Sequence, residues 1–354
     1  MNTTARTALR AAAGFGYGLA IGLTALAAIK LWQSIDYVRL GMQAVRAAGF
    51  VEKCATVNGV TINYAEGPDN GPPLLLIHGQ MTDWSTYMKV LPQLSQQFYV
   101  YAIHCYGHGQ SERVPERYTN LAMGHDQAQF LREVIGEPAF ISGNSSGGLL
   151  GIQIALEAPE LVRGLVLEDP PLFSSQYPRF PSTAGYDLPR LAHEFLASDE
   201  TDFPAFHVAR SSFVRLFGDL APMMIRHATA QRGQQPPQPI HWWYLPPAMN
   251  EMYRVLGNYD PLFGEAFYTG AWHDGFDHAD ALATLSVPTT LIHANWRMDP
   301  SGETLLGAMN DDDAAYAREL IPEVDFRRVN AGHAVHADKP RLFTTIVEET
   351  AGLR

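Results

Sequence analysis

The sequence predicts an α/β protein whose largely parallel sheet is covered by helices on both faces. From residue 73 onward, short apolar runs alternate with helical stretches, and continuous apolar strands are typical of sheets buried on both faces. A hairpin precedes them, because the turn Asn58-Gly59 separates the strand-like segments 56–57 and 60–64. The chain has 354 residues, of which 46% are hydrophobic, so a large core is expected.

The order of the predicted strands indicates an insertion. The strands are expected at residues 73–77, 98–103, 139–141, 165–167, 290–292 and 326–329. About 120 residues separate the fourth strand from the fifth, far more than one crossover helix needs. Residues 172–285 are therefore predicted to form a mostly helical, aromatic-rich cap, inserted into a core of residues 51–171 and 286–354.

Residues 1–50 precede the predicted core and contain a candidate membrane anchor. Residues 11–29 carry no charged side chain, and as a helix they would be roughly 28 Å long, close to the hydrocarbon thickness of a bilayer. The preferred localisation is therefore at a membrane. The alternatives are a protein secreted after cleavage of a signal peptide and a cytoplasmic protein whose N-terminal helix docks on the core. Residues 31–50 predict an amphipathic linker helix, which either lies on the membrane or joins the anchor to the core.

Composition excludes several classes of protein. The net charge of −12 argues against a non-specific nucleic-acid binder. Two cysteines, Cys54 and Cys105, are too few for a disulfide framework or a cysteine-rich zinc site. His104 and His108 are four residues apart, but no third ligand accompanies them, so no metal site is predicted.

The segment Gly143-Asn144-Ser145-Ser146-Gly147 has the pattern of a nucleophile elbow. It follows a short apolar strand and opens a helix, which is the position where such a turn exposes a serine hydroxyl. Glycine on either side of the serine avoids collisions with the neighbouring strand and helix. Ser145 is therefore the candidate nucleophile.

His333 is the candidate general base. It follows the last predicted strand in Asn330-Ala331-Gly332-His333, where an imidazole can reach the serine across the strand ends. His336, three residues later, is assigned to packing or to the surface.

The turn after the first core strand is the candidate oxyanion site. The backbone amide of Gln80 is expected to point towards a developing oxyanion, and the amide of Ser146 is the second donor. Met81 is the substitute for Gln80 as a donor, and it is also a candidate substrate contact.

These motifs together resemble the α/β-hydrolase family. IHGQMTDW, YGHGQS, GNSSGG, LVLEDPP and NAGHAVHADKP occur in the family's order, and they cover nearly all of the chain except its first 50 residues and the cap. The resemblance implies a mostly parallel eight-stranded sheet flanked by helices. In this chain an N-terminal hydrophobic helix is expected in addition. It also implies a serine hydrolase with a helical cap and no cofactor, similar to esterases, lactonases and meta-cleavage C–C hydrolases.

The acid of the triad is where the chain departs from the family pattern. Family members usually have an aspartate four residues after the position of His293, and this chain has Arg297 there. Asp299, two residues later, is the first choice for the acid. Some dehalogenases and the fungal zearalenone lactonases place the acid just beyond the sixth strand, where this chain has Asp169, the alternative. Either strand end can hold an imidazole in the required tautomer.

The predicted activity is hydrolysis of a carboxylic ester or lactone through an acyl-enzyme on Ser145. An aromatic cap indicates a bulky, largely apolar small-molecule substrate, and Trp242, Trp243 and Tyr244 are its candidate contacts. C–C bond hydrolysis of a ring-fission product is the alternative, and a non-catalytic binding protein is the second. A homodimer is compatible with the sequence, and no nucleic-acid partner is expected.

Overall fold

The computed structural model describes residues 37–245 and 247–354. The strands of the main sheet are β1 (Val51–Val57), β2 (Val60–Glu66), β3 (Pro73–Ile77), β4 (Tyr99–Ile103), β5 (Ala139–Asn144), β6 (Val162–Glu168), β7 (Thr289–His293) and β10 (Asp325–Arg328). They form one eight-stranded sheet in the order β1-β2-β4-β3-β5-β6-β7-β10. The short strands β8 (Arg297–Met298) and β9 (Leu305–Leu306) pair separately.

The sheet is mostly parallel. Strand β2 pairs antiparallel with β1 and with β4, and the other neighbouring strands of the main sheet pair parallel. The turn between β1 and β2 has positive φ angles at Asn58 and Gly59, as a two-residue hairpin turn requires. The predicted fold class is confirmed for the described residues.

Helices cover both faces of the sheet. They are α1 (37–47), α2 (Leu91–Leu94), α3 (Asn120–Phe130), α4 (Ser146–Glu157), α5 (Asp187–Leu196), α6 (Phe203–Arg210), α7 (Ser212–Arg215), α8 (Ala221–Arg232), α9 (Pro247–Val255), α10 (Pro261–Thr269), α11 (His278–Thr284), α12 (Asp311–Leu320), α13 (Val335–Asp338) and α14 (Pro340–Thr350). Helices α5 to α11 lie between β6 and β7, and we call residues 169–288 the helical insertion.

Two hydrophobic clusters sandwich the sheet. In β3, Leu75 and Ile77 belong to the cluster that continues into the helical insertion, whereas Leu74 and Leu76 belong to the cluster that contacts α14. All four are completely buried. This alternation follows from the two-residue period of a strand, and it explains why β3 is apolar throughout.

Helix α1 packs on the second of these clusters. Val45 is buried there, and Val38 and Met42 pack against it. A Cβ on Gly41 would come within 2.5 Å of the Met88 sulfur, so glycine allows the helix to approach closely. The described part of the predicted linker helix therefore lies on the core.

The predicted anchor, residues 11–29, lies outside the described residues, as does the beginning of the predicted linker helix. Within residues 37–245 and 247–354, no helix combines the length and the apolar character needed to cross a membrane.

Candidate active site

Ser145 lies in the sharp turn between β5 and α4. Its φ and ψ are +56° and −124°, a strained conformation for a residue other than glycine. A Cβ on Gly143 would lie 2.2 Å from the Gly147 carbonyl oxygen, and a Cβ on Gly147 would lie 2.3 Å from that of Ile77. Backbone therefore occupies the space that side chains would need, and the half-buried serine stands at the tip of the turn.

His333 is paired with Asp169. Its Nδ1 donates a hydrogen bond to Asp169 Oδ2 at 2.7 Å. Asp169 directly follows β6 and is 2% exposed, and its Oδ1 accepts from the Ala294 amide at 3.0 Å. Because an ionised carboxylate only accepts hydrogen bonds, Nδ1 carries the proton in the neutral imidazole. The opposite nitrogen, Nε2, is then left to act as a base.

Asp169 also makes this imidazole more basic. Desolvation is the largest single influence and lowers the pKa of His333, but the hydrogen bond and negative charge of Asp169, with a further contribution from Glu168, raise it above its usual value. The side chain nevertheless keeps 45% of its surface exposed. A raised pKa suits a group that must hold a proton taken from a serine.

Asp299, the first choice for the acid, does not contact His333, and this prediction is corrected. Its carboxylate accepts hydrogen bonds from the amides of Glu303 and Thr304 and from the Ser301 hydroxyl. The Thr304 amide and then the Ser301 hydroxyl keep the pKa of Asp299 below its usual value. The physical reason is local: strands β8 and β9 form a separate hairpin, and Asp299 belongs to the turn that connects them.

Asn144 connects the turn of the candidate nucleophile to the loop of the candidate base. Its side-chain amide donates to the His333 carbonyl at 3.2 Å and to the Glu168 carbonyl at 3.3 Å. The Ser145 backbone amide donates to that same Glu168 carbonyl at 3.0 Å. The serine turn, the end of β6 and the histidine loop are therefore joined, and the Asn before the serine was the only sequence signal for this role.

The predicted oxyanion turn contacts the serine turn. A Cβ on Gly79 would lie 2.8 Å from the Ser145 Cβ, so the residue before Gln80 packs directly against the candidate nucleophile. Met81 follows with φ at +58° and is buried. Among residues 37–245 and 247–354, the Gln80, Met81 and Ser146 amides donate to no backbone carbonyl outside regular helices and strands, so all three are available as donors to a ligand.

His78 orients the Gly79–Gln80 peptide of the predicted oxyanion turn. Its Nε2 accepts from the Cys105 amide at 3.0 Å, so Nδ1 carries the proton and donates to the Gly79 carbonyl at 2.8 Å. The Thr82 hydroxyl donates to the same carbonyl at 2.8 Å, and burial lowers the pKa of His78. Since the C=O and N–H of one trans peptide point in opposite directions, fixing the Gly79 carbonyl directs the Gln80 N–H. The sequence analysis missed this role.

The helical insertion contacts the loops that follow β3 and β4. The Tyr259 hydroxyl donates to the Gln80 side chain at 3.3 Å, and the Asp260 amide donates to the Gly107 carbonyl at 2.7 Å. Arg254 donates to the Ser85 hydroxyl at 2.7 Å. The insertion therefore lies over the carboxyl ends of these strands, where Ser145 and His333 are also found.

The three aromatic residues predicted to contact substrate lie in different environments. Trp242 is completely buried inside the insertion, where its indole N–H donates to the Met224 carbonyl at 3.0 Å, so its assignment as a substrate contact is wrong. Trp243 is 49% exposed. The half-buried Tyr244 lies edge-on to it, with the ring centroids 5.4 Å apart.

The described residues contain no group of three or more His, Cys, Asp or Glu side chains that could hold a metal ion. His104 Nδ1 accepts from the Gln110 amide at 3.0 Å, and His108 Nδ1 lies 2.9 Å from the Tyr106 carbonyl oxygen. Both histidines therefore take part in local hydrogen bonds of the loop after β4.

The sheet order, the serine turn and the His–Asp pair are together those of an alpha/beta hydrolase fold. The chain belongs to the alpha/beta hydrolase fold family, whose family model matches residues 72–340. This confirms the family resemblance and agrees with a small-molecule substrate.

Individual relatives are distant or match only part of the chain. The magnesium-chelatase 30 kDa subunit of Rhodobacter capsulatus is 23% identical over 288 residues, which are 76% of this chain and 83% of that protein. A 2-hydroxymuconate semialdehyde hydrolase of Pseudomonas sp. strain CF600 is 35% identical over 121 residues, which are 33% of this chain and 41% of that enzyme. The crystal structure of a membrane phospholipase A, a bacterial virulence factor, has a TM-score of 0.59 at 20% identity, over 96% of this chain and 97% of that one.

Proposed function

We propose that the protein is a serine hydrolase that cleaves a carboxylic ester or lactone through an acyl-enzyme on Ser145. The observation that carries this proposal is the 2.7 Å bond between His333 and the buried Asp169. That pair is tied through Asn144 to the strained turn that holds the serine. A buried carboxylate, an imidazole with a free Nε2 and a serine at an elbow are the three parts of an acyl-transfer triad.

Each step of the reaction has a residue to perform it. Ser145 Oγ attacks the substrate carbonyl while His333 Nε2 takes its proton, and Asp169 stabilises the imidazolium that forms. The Gln80 and Ser146 amides donate hydrogen bonds to the oxyanion. His333 then protonates the leaving oxygen, and water activated by the same histidine releases the acid. In a lactone the leaving oxygen stays attached to the acyl group, so the product is a single hydroxy acid.

The proposed substrate is bulky and largely apolar. The insertion that lies over the strand ends is rich in aromatic residues, and among them Trp243 and Tyr244 keep exposed surface. Apolar walls with few polar groups are typical of small-molecule sites. With Asp169 as the acid, the family arrangement found in zearalenone lactonases makes a large-ring lactone the first substrate to try.

C–C bond hydrolysis of a ring-fission product is the second candidate. The 35% identity to the Pseudomonas semialdehyde hydrolase favours it, as does Asn144 before the serine. A dienoate substrate distinguishes the two candidates, because its cleavage changes the absorbance of the conjugated system, whereas an ester or lactone hydrolase leaves that absorbance unchanged.

We also propose that residues 11–29 attach the protein to a membrane. Their length and lack of charge support this. Deletion of residues 1–36 leaves the docked helix α1 in place, and it is expected to move the protein from the membrane pellet to the supernatant. Full-length protein found in the supernatant would contradict the anchor.

The decisive experiment is labelling of the purified protein with a fluorophosphonate, followed by mass spectrometry of the labelled peptide. The label is expected on Ser145 and is expected to vanish in Ser145→Ala and in His333→Ala. The exposed Ser198 and His125 provide the matched control variants Ser198→Ala and His125→Ala, which should label like the wild type. A folded wild-type protein that takes no label would contradict the acyl-enzyme and favour the non-catalytic binding protein.

A further inference from the structure

A second carboxylate–histidine pair lies beside the first. Glu168 directly precedes Asp169, and His336 follows His333 by three residues. Glu168 Oε2 accepts from His336 Nδ1 at 2.8 Å, and Glu168 Oε1 accepts from the His336 backbone amide at 2.8 Å. The two residues are 0% and 1% exposed. Two successive residues of one strand end thus hold both histidines of the loop that supplies the base.

The second pair also reaches the oxyanion region. His336 Nε2 lies 3.0 Å from the Thr86 hydroxyl, and Thr86 belongs to the 3-10 helix Trp84–Lys89 that follows the oxyanion turn. The neighbouring Tyr87 ring packs on the imidazole with centroids 4.3 Å apart, and its hydroxyl donates to the Ile77 carbonyl at 2.9 Å. One buried imidazole therefore contacts segments from the acid, base and oxyanion parts of the site.

Stability alone does not account for this arrangement. Removing a carboxylate and an imidazole from water carries a desolvation cost, and apolar side chains of similar volume often fill such a place with equal or greater stability. The bonds instead serve geometry. Glu168 fixes the backbone of α13 through the His336 amide, which is one of the first-turn amides that a helix leaves without a partner.

Glu168 also affects the serine turn and the pKa of His333. Its backbone carbonyl accepts from the Ser145 amide and from the Asn144 side chain, so a movement of Glu168 displaces the nucleophile turn. The negative charge of its carboxylate contributes to the raised pKa of His333, together with the larger contributions of Asp169.

We propose that Glu168 and His336 are positioning residues, which together with Thr86 hold the His333 loop against the end of β6 and the oxyanion segment. This inference rests on the proposed serine hydrolase function. It assigns Glu168 a role in the geometry of the base that is separate from the role of its neighbour Asp169.

The test compares Glu168→Gln with the control Glu157→Gln. Glu157 pairs with His125 at 2.6 Å, but that pair is exposed. The readout is the second-order rate of fluorophosphonate labelling at Ser145, followed from about pH 5 to 9, where a histidine near its usual pKa titrates. Labelling is expected to slow by about 10- to 100-fold in Glu168→Gln, because a misplacement of 1 Å can cost about 100-fold in rate.

The pH dependence of the labelling rate shows whether Glu168 acts on His333 through its position and charge or only supports the fold. Labelling requires neutral His333, so its rate rises as the pH passes the pKa of this histidine. Loss of the Glu168 charge lowers that pKa, and the rising limb in Glu168→Gln should move to lower pH. Glu157→Gln should keep the labelling rate of the wild type, and its rate should rise over the same pH range.

Thr86→Val keeps Glu168 and His336 and removes only the hydroxyl, so it tests the inference if Glu168→Gln does not fold. A several-fold slower labelling rate at an unchanged melting temperature supports the positioning role. If Glu168→Gln and Thr86→Val are labelled at the wild-type rate and with the wild-type pH dependence, the inference is overturned and the proposed serine hydrolase function still stands. No labelling of the folded wild-type protein would overturn both.

Discussion

Asp169 and Asp299 are two aspartates that follow strand ends, Asp169 in the main sheet and Asp299 in the separate β8–β9 hairpin, and their surroundings are opposite. Asp169 is 2% exposed and divides its oxygens between His333 and the Ala294 amide, which belong to different segments of the chain. Asp299 uses its carboxylate to close its own turn with Ser301, Glu303 and Thr304. One carboxylate links distant parts of the fold and the other serves a local hairpin.

The comparison shows that position along a strand does not decide which carboxylate becomes the partner of a base. Asp169 directly follows β6 and has φ at +47°. The amide of Ala294, the residue directly after the adjacent strand β7, donates a hydrogen bond to its carboxylate. Asp299 lies in the turn of the hairpin that starts at Arg297. A carboxylate serves an imidazole when neighbouring strands hold it rigidly at the common edge of the sheet.

The largest expected effect comes from replacing each aspartate by asparagine. Asp169→Asn removes the charge that fixes the tautomer of His333 and stabilises its imidazolium, so turnover of a suitable ester or lactone should fall by about 1,000- to 10,000-fold. Asp299→Asn should stay close to the wild-type rate. Equal losses in the two variants, or a larger loss in Asp299→Asn, would show that the acid has been assigned to the wrong strand end.

The same contrast between buried and exposed residues recurs in the insertion, where Trp242 and Trp243 are adjacent. Trp242→Ala empties a completely buried site and should lower the free energy of unfolding by about 3–5 kcal/mol. Trp243→Ala, at a half-exposed position, should change it by no more than about 0.5 kcal/mol. Denaturant unfolding measures both. A stable Trp242→Ala protein with an altered KM would instead restore Trp242 as a substrate contact.

The smallest effect concerns the titration of the base. Asp169 raises the pKa of His333 through its hydrogen bond and charge, so His333 in Asp169→Asn should lose its proton at a lower pH than in the wild type. In Asp299→Asn the midpoint should stay where it is. The chemical shift of the His333 Cε1 proton, followed against pH, gives the midpoint directly. A wild-type midpoint in Asp169→Asn would mean that another group makes His333 basic.

Local patterns were sufficient for most of the fold and for naming two members of the proposed triad. The apolar strands, the hairpin at Asn58 and the glycine-flanked Ser145 each follow from chemistry within a few residues. His333 was nominated because it lies in the loop after the last strand of the sheet, which ends at Arg328. These features depend on backbone requirements, such as the space that Gly143 leaves for Gly147, and such requirements are visible in a single segment.

Contacts between residues far apart in the sequence could not be predicted from local patterns. The choice between Asp169 and Asp299 depends on which strand end lies beside the His333 loop, and the burial of Trp242 depends on how the insertion packs on itself. His336 was assigned to packing or to the surface because its partners, Glu168 and Thr86, are 168 and 250 residues away in sequence. Only the folded chain brings such groups together.

The crowding around the serine turn has a consequence for evolution and for laboratory selection. Gly79, Gly143 and Gly147 each face atoms at distances that a methyl group could not share, so substitutions there are closed to selection of any kind. Residues 170–288, the part of the insertion after Asp169, lie over the site without belonging to the serine turn, so variation there can change what the protein accepts. A library confined to residues 170–288 would explore new substrates while every member keeps Ser145, His333 and Asp169.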